Sequence, residues 1–290
     1  MCFKLERKGM SGAAGAGVVV QKLGASPSDE SRPSPVQWRT QVWRDTYARA
    51  HTYPFRPTYK LQYMSEFHKT IPFSLMKVSV SPEDTLIAAQ RLLRAGLNPT
   101  VLNFADDTAA GGSVEVGSGA QEESLWRRTN LCSTQLQSFY PLRSEEGAVE
   151  GLYTHAVTVF KSPDADGCKD LAEPWQVAVV SVPAIPYPFL ERGRMGAADT
   201  ALFRKKIELV LQIAHSQGHD SLVLGAFGCG AWRGPPQQIA ELFREVLREW
   251  NGVFREVVFA CLHDDAAASM RRGTYRGNYD VFQEVLGGGL

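Results

Sequence analysis

An α/β fold with a mixed sheet and helices on both faces is the class this sequence predicts, and two observations predict it. Short apolar runs rich in β-branched residues alternate with longer segments of helical period along most of the chain. A strand, a glycine-rich loop and a helix also follow one another twice. TVLNFA at Thr100–Ala105 leads to Gly111, Gly112, Gly117 and Gly119 and then to a helix opened by Gln121; SLVLGA at Ser221–Ala226 leads to FGCGAW at Phe227–Trp232 and a helix begun at Pro235 and Pro236. With 290 residues, 44% of them hydrophobic, the chain can bury a sizeable core, of which one α/β domain takes about 200 to 250 residues.

Residues 1–35 are rich in Gly, Ala, Ser and Pro without a period, and disorder is expected there. Lys4, Arg7 and Lys8 precede a weakly apolar GAAGAGVVV, but its glycines and the early Gln21-Lys22 make a poor secretory signal. Residues 36–75 read as an accessory helical region, with Trp38–Tyr47 as an added helix that packs through Trp43. The main domain, 76–290, then runs in order: a helix over Pro82–Ala95, the strand Thr100–Ala105, the helix after Gln121, strands over Leu152–Lys161 and Trp175–Pro183, and a long helix over Asp199–Ser216 with Ile207, Leu211 and Ala214 on one side. The strand Ser221–Ala226, a helix to about Trp250, a strand over Val257–Leu262 and a last helix over Asn278–Leu286 complete it. There is no internal repeat, and no apolar run approaches membrane-spanning length.

Formal charge is zero, so no global field advertises a sequence-specific nucleic-acid partner, although a polyanion contacted over one or two units is compatible. The pairs Arg127-Arg128, Lys205-Lys206 and Arg271-Arg272 are expected on solvated faces. Cys2, Cys132, Cys168, Cys229 and Cys261 are odd in number and contain no C-x-x-C pair. That usage points to a reducing, intracellular compartment, cytoplasmic or nuclear, without disulfides or structural zinc. Cys229 is expected to fill space beneath its glycine loop rather than act as a nucleophile. His215 and His219 are separated by Gly218, which breaks the helical spacing a metal pair needs. His263, with Asp264 and Asp265, faces a site or caps a loop, and the loop is the simpler expectation. Neither a metal nor a cofactor is expected.

The candidate chemistry lies on the two glycine loops. Glycines let backbone amides approach a ligand closely, and a helix N-terminus favours phosphate. Two such cradles at strand ends suit one diphosphate between them. Gln121, Glu122 and Glu123 open the helix after the first loop and add carboxyl groups beside that diphosphate; an ordinary acidic first turn would also complement the helix dipole. Position alone does not say which carboxyl acts, because adjacent helical residues point about 100° apart.

Taken in order, these segments resemble the bacterial-type poly(ADP-ribose) glycohydrolases, macrodomain enzymes whose signature is three glycines, a short spacer and Gln-Glu-Glu. Here Gly111, Gly112 and Ser113 are followed by seven residues and then by Gln121-Glu122-Glu123. SVPA at Ser181–Ala184, the helix around Arg204–His215, GAFGCGAW at Gly225–Trp232 and VVFACL at Val257–Leu262 agree as well, so the resemblance spans roughly residues 76–286. It implies a three-layer α/β/α macrodomain and the hydrolysis of the ribose–ribose O-glycosidic bond of poly(ADP-ribose), with ADP-ribose as product. By resemblance Glu123 is the general acid and Glu122 orients ribose hydroxyls. The implied binding set is Phe104, Ala105, Gly111, Gly112, Ser113, Gln121, Ala226, Phe227, Gly228, Cys229, Gly230, Ala231 and Trp232, with Trp232 over the terminal ribose.

Two positions depart from the family pattern. Ala109-Ala110 stand where Asn-Pro is usual, removing a polar contact expected near the distal ribose, and Ser113 stands where the third glycine is usual. A side chain at Ser113 is compatible with the loop only at negative φ. Three functions therefore stand side by side: a poly(ADP-ribose) glycohydrolase, a non-hydrolysing ADP-ribose reader, and a hydrolase of single ADP-ribose units on protein or nucleic acid. The partners implied are poly(ADP-ribose) or ADP-ribosylated protein, with no membrane.

Overall fold

The computed structural model describes residues 33–145, 147–263 and 277–290. The expectations for residues 1–32, for Asp264 and Asp265, and for Arg271 and Arg272 lie outside the described residues. Ser34–Leu290 form one compact unit.

In chain order the elements are α1 (Pro35–Ala50), β1 (Thr58–Gln62), β2 (Lys77–Ser81), α2 (Thr85–Arg94), β3 (Pro99–Ala105), α3 (Gln121–Arg128), β4 (Ser144–Glu145), β5 (Ala148–Lys161), β6 (Asp170–Pro183), β7 (Leu190–Glu191), β8 (Arg194–Met195), α4 (Ala197–Ser216), β9 (Ser221–Leu224), α5 (Pro236–Glu249), β10 (Glu256–Ala260) and α6 (Asn278–Leu286). The central sheet runs β1-β5-β6-β3-β9-β10-β2, with β4 on β5. Strands β6, β3, β9, β10 and β2 are mutually parallel, while β5 is antiparallel to both β1 and β6. The sheet is therefore mixed, and the C-terminal ends of β3, β6, β9 and β10 open on one edge. Ligands of open α/β sheets bind beyond such strand ends.

Alternating side chains of the central strands feed two cores, as period-2 geometry requires. Leu102, Leu222, Leu224, Val257 and Phe259 meet Phe203, Ile207 and Leu211 of α4, Phe243 and Val246 of α5 and Phe282 of α6. Their neighbours Val101, Val223 and Val258 meet Leu86, Ala89 and Leu92 of α2, Leu125 and Trp126 of α3 and Trp43 of α1. Asp84 caps α2 by accepting from the amides of Leu86 and Ile87, and Ser34 with Gln37 forms a reciprocal capping box on α1.

The segment 36–75 is helical only through Ala50. Thr58–Gln62 is instead an edge strand paired in register with β5, and Thr58 Oγ1 lies 2.8 Å and 2.9 Å from the hydroxyls of Thr134 and Thr154. An edge strand buries little, so TYKLQ carries almost no hydrophobic signal. Strand β2, unassigned from the sequence, has the alternation of Val78 and Val80.

The solvated-face expectation fails for three basic residues: Arg127, Arg128 and Lys206 are all essentially inaccessible. Each has partners that replace water. Arg127 donates to Ser118 O (2.7 Å) and Asp164 Oδ2 (2.5 Å), and Arg128 donates to Asp84 Oδ2 (2.8 Å). Lys206 Nζ donates to Pro183 O (2.7 Å) and Ser144 Oγ (2.6 Å), and burial lowers its pKa to about 7 against the nearby charge of Asp107. Long side chains from helices close the loops at this end of the sheet, a role that residue type alone does not announce.

Helix α1 lies on the back of the first glycine loop. Trp43 packs 6.0 Å from Trp126, Thr46 Oγ1 donates to Arg127 O, and Arg39 Nη1 reaches Gly117 O. Gly117 has φ +80, and a Cβ there would lie 2.5 Å from the Val36 carbonyl oxygen. A side chain at Gly117 must displace α1 as well as adopt a left-handed backbone costing about 1–2 kcal/mol. Gly117→Ala is therefore expected to lower stability by at least that amount in urea denaturation, whereas Gly147→Ala, whose Cβ meets nothing within 4 Å, leaves the midpoint unchanged.

Candidate active site

The first loop begins where β3 runs out of apolar residues. Asp106 turns the chain by accepting at Oδ1 from the amides of Thr108 and Ala109 and from the Thr108 hydroxyl, each at 2.8 Å. Gln137 then clamps the loop, its Nε2 donating to Thr108 O (2.8 Å) and its Oε1 accepting from the Ala110 amide (3.0 Å). A proline at 110 would lack that amide. Ser113 has φ −102, a conformation open to any side chain.

Gly111 and Gly112 are required by geometry. Gly111 (φ +79) lies on the Trp126 ring, and a Cβ would sit 2.5 Å from Cδ2. Gly112 (φ +57) lies on the carboxyl pair, and a Cβ would sit 2.9 Å from Glu123 Oε1 and 3.0 Å from Glu122 Oε2. A cleft of ≈ 500 Å³ is bounded by Gly112 and Ser113 together with Trp43, Tyr47 and Trp126.

The three residues that open α3 divide the work. Gln121 is engaged with strand β3, accepting from the Phe104 amide (3.0 Å) and donating to Leu102 O (2.8 Å), so its amide fastens helix to strand. Glu122, 3% exposed, accepts from the Asp106 amide (2.7 Å) and from Asn103 Nδ2 (3.2 Å). Burial raises its pKa to about 8; the charges of Glu123 and Asp106 act in the same direction, and the two N–H donors act against it. Glu122 is thus held protonated at neutral pH. Glu123 accepts from the Ser113 amide at Oε1 (3.1 Å), and its Oε2, also buried, has no hydrogen-bond partner among the described residues.

Beneath the pair runs a chain of buried polar groups that sequence reasoning missed. Asn103 Nδ2 also donates to Ser181 Oγ (3.0 Å), Gln135 Nε2 donates to Ser181 Oγ (2.9 Å) and Thr154 Oγ1 (3.1 Å), and Thr154 contacts Thr58. This network ties β3, β6, β5 and β1 together under Glu122. The available signal was a polar Asn103 inside an otherwise apolar strand. Tyr140 is a second omission: it packs with Ala105, Leu142 and Leu152, and its buried hydroxyl has no partner among the described residues. Burial, with Glu122 and Asp106 nearby, pushes the phenol well above its ordinary pKa.

The second loop leaves β9 and is closed by Cys229 N→Ala226 O (3.0 Å), Arg233 N→Gly230 O (3.0 Å) and Gly234 N→Gly228 O (2.8 Å). Gly225 passes close to the ends of β3 and β10, since a Cβ would lie 2.8 Å from both Phe104 Cζ and Ala260 O. Phe227 and Cys229 are buried with their side chains in the core, so any ligand contact from them falls to the backbone. The amides of Gly111, Gly228 and Gly230 make no hydrogen bond among the described residues. Phe104 and Trp232 are half-buried against the core, Ala226 is half-buried, and Ala231 is exposed. Ala105 is buried at the end of β3.

The remaining candidates lie apart from this arrangement. His215 Nε2 meets Thr70, His219 Nε2 lies 2.9 Å from the Tyr153 hydroxyl, and the His263 ring lies 4.4 Å from Tyr279. Burial pushes the thiols of Cys132, Cys168 and Cys261 up to about 11, 12 and 12. No group of three or more His, Cys, Asp and Glu residues able to hold a metal occurs among the described residues.

Comparison with known proteins converges on one family. The model of the microbial-type PARG (poly(ADP-ribose) glycohydrolase) catalytic domain matches residues 39–165, a span that contains most of α1, the first glycine loop and the carboxyl pair. No curated protein matches the chain. The crystal structure of poly(ADP-ribose) glycohydrolase from Thermomonospora curvata is 26% identical with a TM-score of 0.70, covering 86% of this chain and 99% of that one. The same enzyme bound to the inhibitor ADP-HPD gives 26% identity and a TM-score of 0.68 over 85% and 98% of the two chains. A variant of the Deinococcus radiodurans enzyme in complex with ADP-ribose shares the fold at 24% identity, with a TM-score of 0.62 over 85% and 91%. The family match covers the first loop and the carboxyl pair, and the likeness of fold extends over 86% of the chain, so in sequence and in fold the chain is similar to the bacterial-type poly(ADP-ribose) glycohydrolases.

Proposed function

We propose that this chain hydrolyses the ribose–ribose O-glycosidic bond of poly(ADP-ribose), releasing ADP-ribose, with Glu123 as the general acid. The observation that carries this reading is the state of Glu123. One carboxyl oxygen is fixed by the Ser113 amide of the glycine loop, and the other is buried without a partner. An unsatisfied buried carboxyl oxygen is costly unless a ligand completes it. The unpaired amides of Gly111, Gly228 and Gly230 are suited to the diphosphate of the same ligand.

Cleavage passes through an oxocarbenium-like state in which the departing hydroxyl oxygen needs a proton. Glu123 Oε2 supplies it, then takes a proton from the water that attacks the ribose carbon. Glu122, whose pKa is raised by burial, offers ribose hydroxyls a carboxylic acid instead of an anion beside the diphosphate. The substrate is the polymer or an ADP-ribosylated protein. No helix among the described residues is long and apolar enough to cross a membrane, and the reading places the work inside the cell, where cysteines stay reduced.

Three outcomes test this. Glu123→Gln is expected to lower kcat for polymer hydrolysis by about 10² to 10⁴ while the affinity for ADP-ribose, measured by calorimetry, changes little; parental turnover in that variant removes Glu123 from the role. A protein that binds ADP-ribose yet releases no product from polymer is a reader. Glu122 provides the pH dependence. Its raised pKa means the charge is absent below about 8 and returns above it, so ADP-ribose affinity is expected to fall about three- to tenfold as pH rises from 7 to 9, and Glu122→Gln flattens that dependence. Finally, Ala110→Pro removes the amide that Gln137 holds and is expected to lower polymer turnover, whereas Ser113→Gly, at a position with ordinary φ, leaves turnover within about twofold, the range of a surface-like change of a few tenths of a kcal/mol.

A further inference from the structure

Between β6 and α4, residues 185–195 form a segment that the chemistry above does not use: an irregular stretch over 185–189 and then the small hairpin of β7 and β8. Its base is anchored: Leu190 pairs with Met195 and Glu191 with Arg194, Met195 is buried, and the Met195 amide donates to Gln238 Oε1 (2.7 Å). Its tip is a two-residue turn with positive φ at both Arg192 (+51) and Gly193 (+79), the twist that suits a tight hairpin. The stretch that leads into the hairpin exposes two aromatic rings, Tyr187 at 64% and Phe189 at 81%.

The segment is joined to the second glycine loop. Tyr187 N donates to Trp232 O (3.1 Å), and the Arg233 guanidinium lies 5.9 Å from the Tyr187 ring centre. Arg233 and, at the hairpin tip three residues after Phe189, Arg192 are both exposed. Aromatic faces alternating with arginines match a nucleotide chain, because rings stack on bases whatever the sequence and guanidinium groups pair with phosphate oxygens. A purely apolar partner has no use for the arginines. Two large exposed rings two residues apart are also an unusual surface for a molecule without a partner.

We infer that the 185–195 segment is an accessory subsite for the adjoining nucleotide unit of a poly(ADP-ribose) chain whose terminal unit occupies the two glycine loops. The inference rests on the glycohydrolase reading, and it assigns Phe189 to an adenine face and Arg192 to a diphosphate. Such a subsite raises the affinity for polymer over that for free ADP-ribose without touching the bond that is cut.

The test is direct binding in the Glu123→Gln background, with labelled poly(ADP-ribose) and free ADP-ribose compared at two or more salt concentrations. Phe189→Ser and Arg192→Ser are each expected to weaken polymer binding about five- to tenfold and leave ADP-ribose binding unchanged, with a shallower salt dependence for Arg192→Ser. Unchanged ADP-ribose affinity also reports that each variant is folded. The inference is overturned if polymer affinity is unaffected, if both affinities fall together, or if Phe189→Ser changes only self-association by light scattering, which would make the segment a contact between copies of the chain. If the Glu123→Gln protein binds neither ligand, the glycohydrolase reading fails first and the subsite with it. If it binds polymer no better than ADP-ribose, the glycohydrolase reading stands and the subsite alone is wrong.

Discussion

The seat of the Gly112 backbone on the Glu122–Glu123 pair is the contact on which the rest of the site depends. There is room for the loop to lie there only because residue 112 has no side chain, and the next amide, that of Ser113, then falls on Glu123 Oε1. The same contact covers Glu122, and burial under the loop is the main reason its carboxyl keeps a proton near neutrality. Loop conformation, carboxyl orientation and protonation state are therefore one fact. A displacement of the loop by an ångström would free Glu123 to rotate and admit water to Glu122.

Much of the surrounding structure keeps that loop still. From inside, Asp106 and Gln137 hold its backbone, and the Asn103–Ser181–Gln135–Thr154 network holds the strand from which it springs. From behind, Arg127 grips Ser118 O, and α1 presses on Gly117. Buried charges are a poor source of net stability, but removing one partner is costly, so they act as fasteners that allow few alternatives. The helix dipole favours the ionised form of the acidic residues in the first turn of α3. Burial overrides it at Glu122, where the low-dielectric surroundings act on the whole charge and the dipole on a fraction of one.

The sequence was most legible where a single element decides the outcome. The strands Thr100–Ala105 and Ser221–Ala226 and the helix Asn278–Leu286 follow from continuous apolar runs or from a clear helical period, and β3, β9 and α6 occupy those spans to within two residues. Long helices were equally plain: Asp199–Ser216 was short of α4 by two residues at its start. Edge strands were not legible, because β1 buries only Thr58 and partly Leu61. Nor was the fate of the basic pairs, since Arg127 and Lys206 are drawn inside by acceptors on Ser118, Asp164, Pro183 and Ser144, distant in the chain or in another element.

For the site the division is similar. The chain by itself determined that two glycine loops follow two strands and that a carboxyl pair opens the helix after the first, because local backbone freedom and helix phase depend only on nearby residues. Tertiary structure alone decided that burial raises the pKa of Glu122, that Gln121 faces strand β3, that Phe227 belongs to the core, and that Gln137 holds the Ala110 amide. Each of these depends on groups brought together from separate elements, and the free energy of a buried polar atom is set by whichever partners the fold delivers to it.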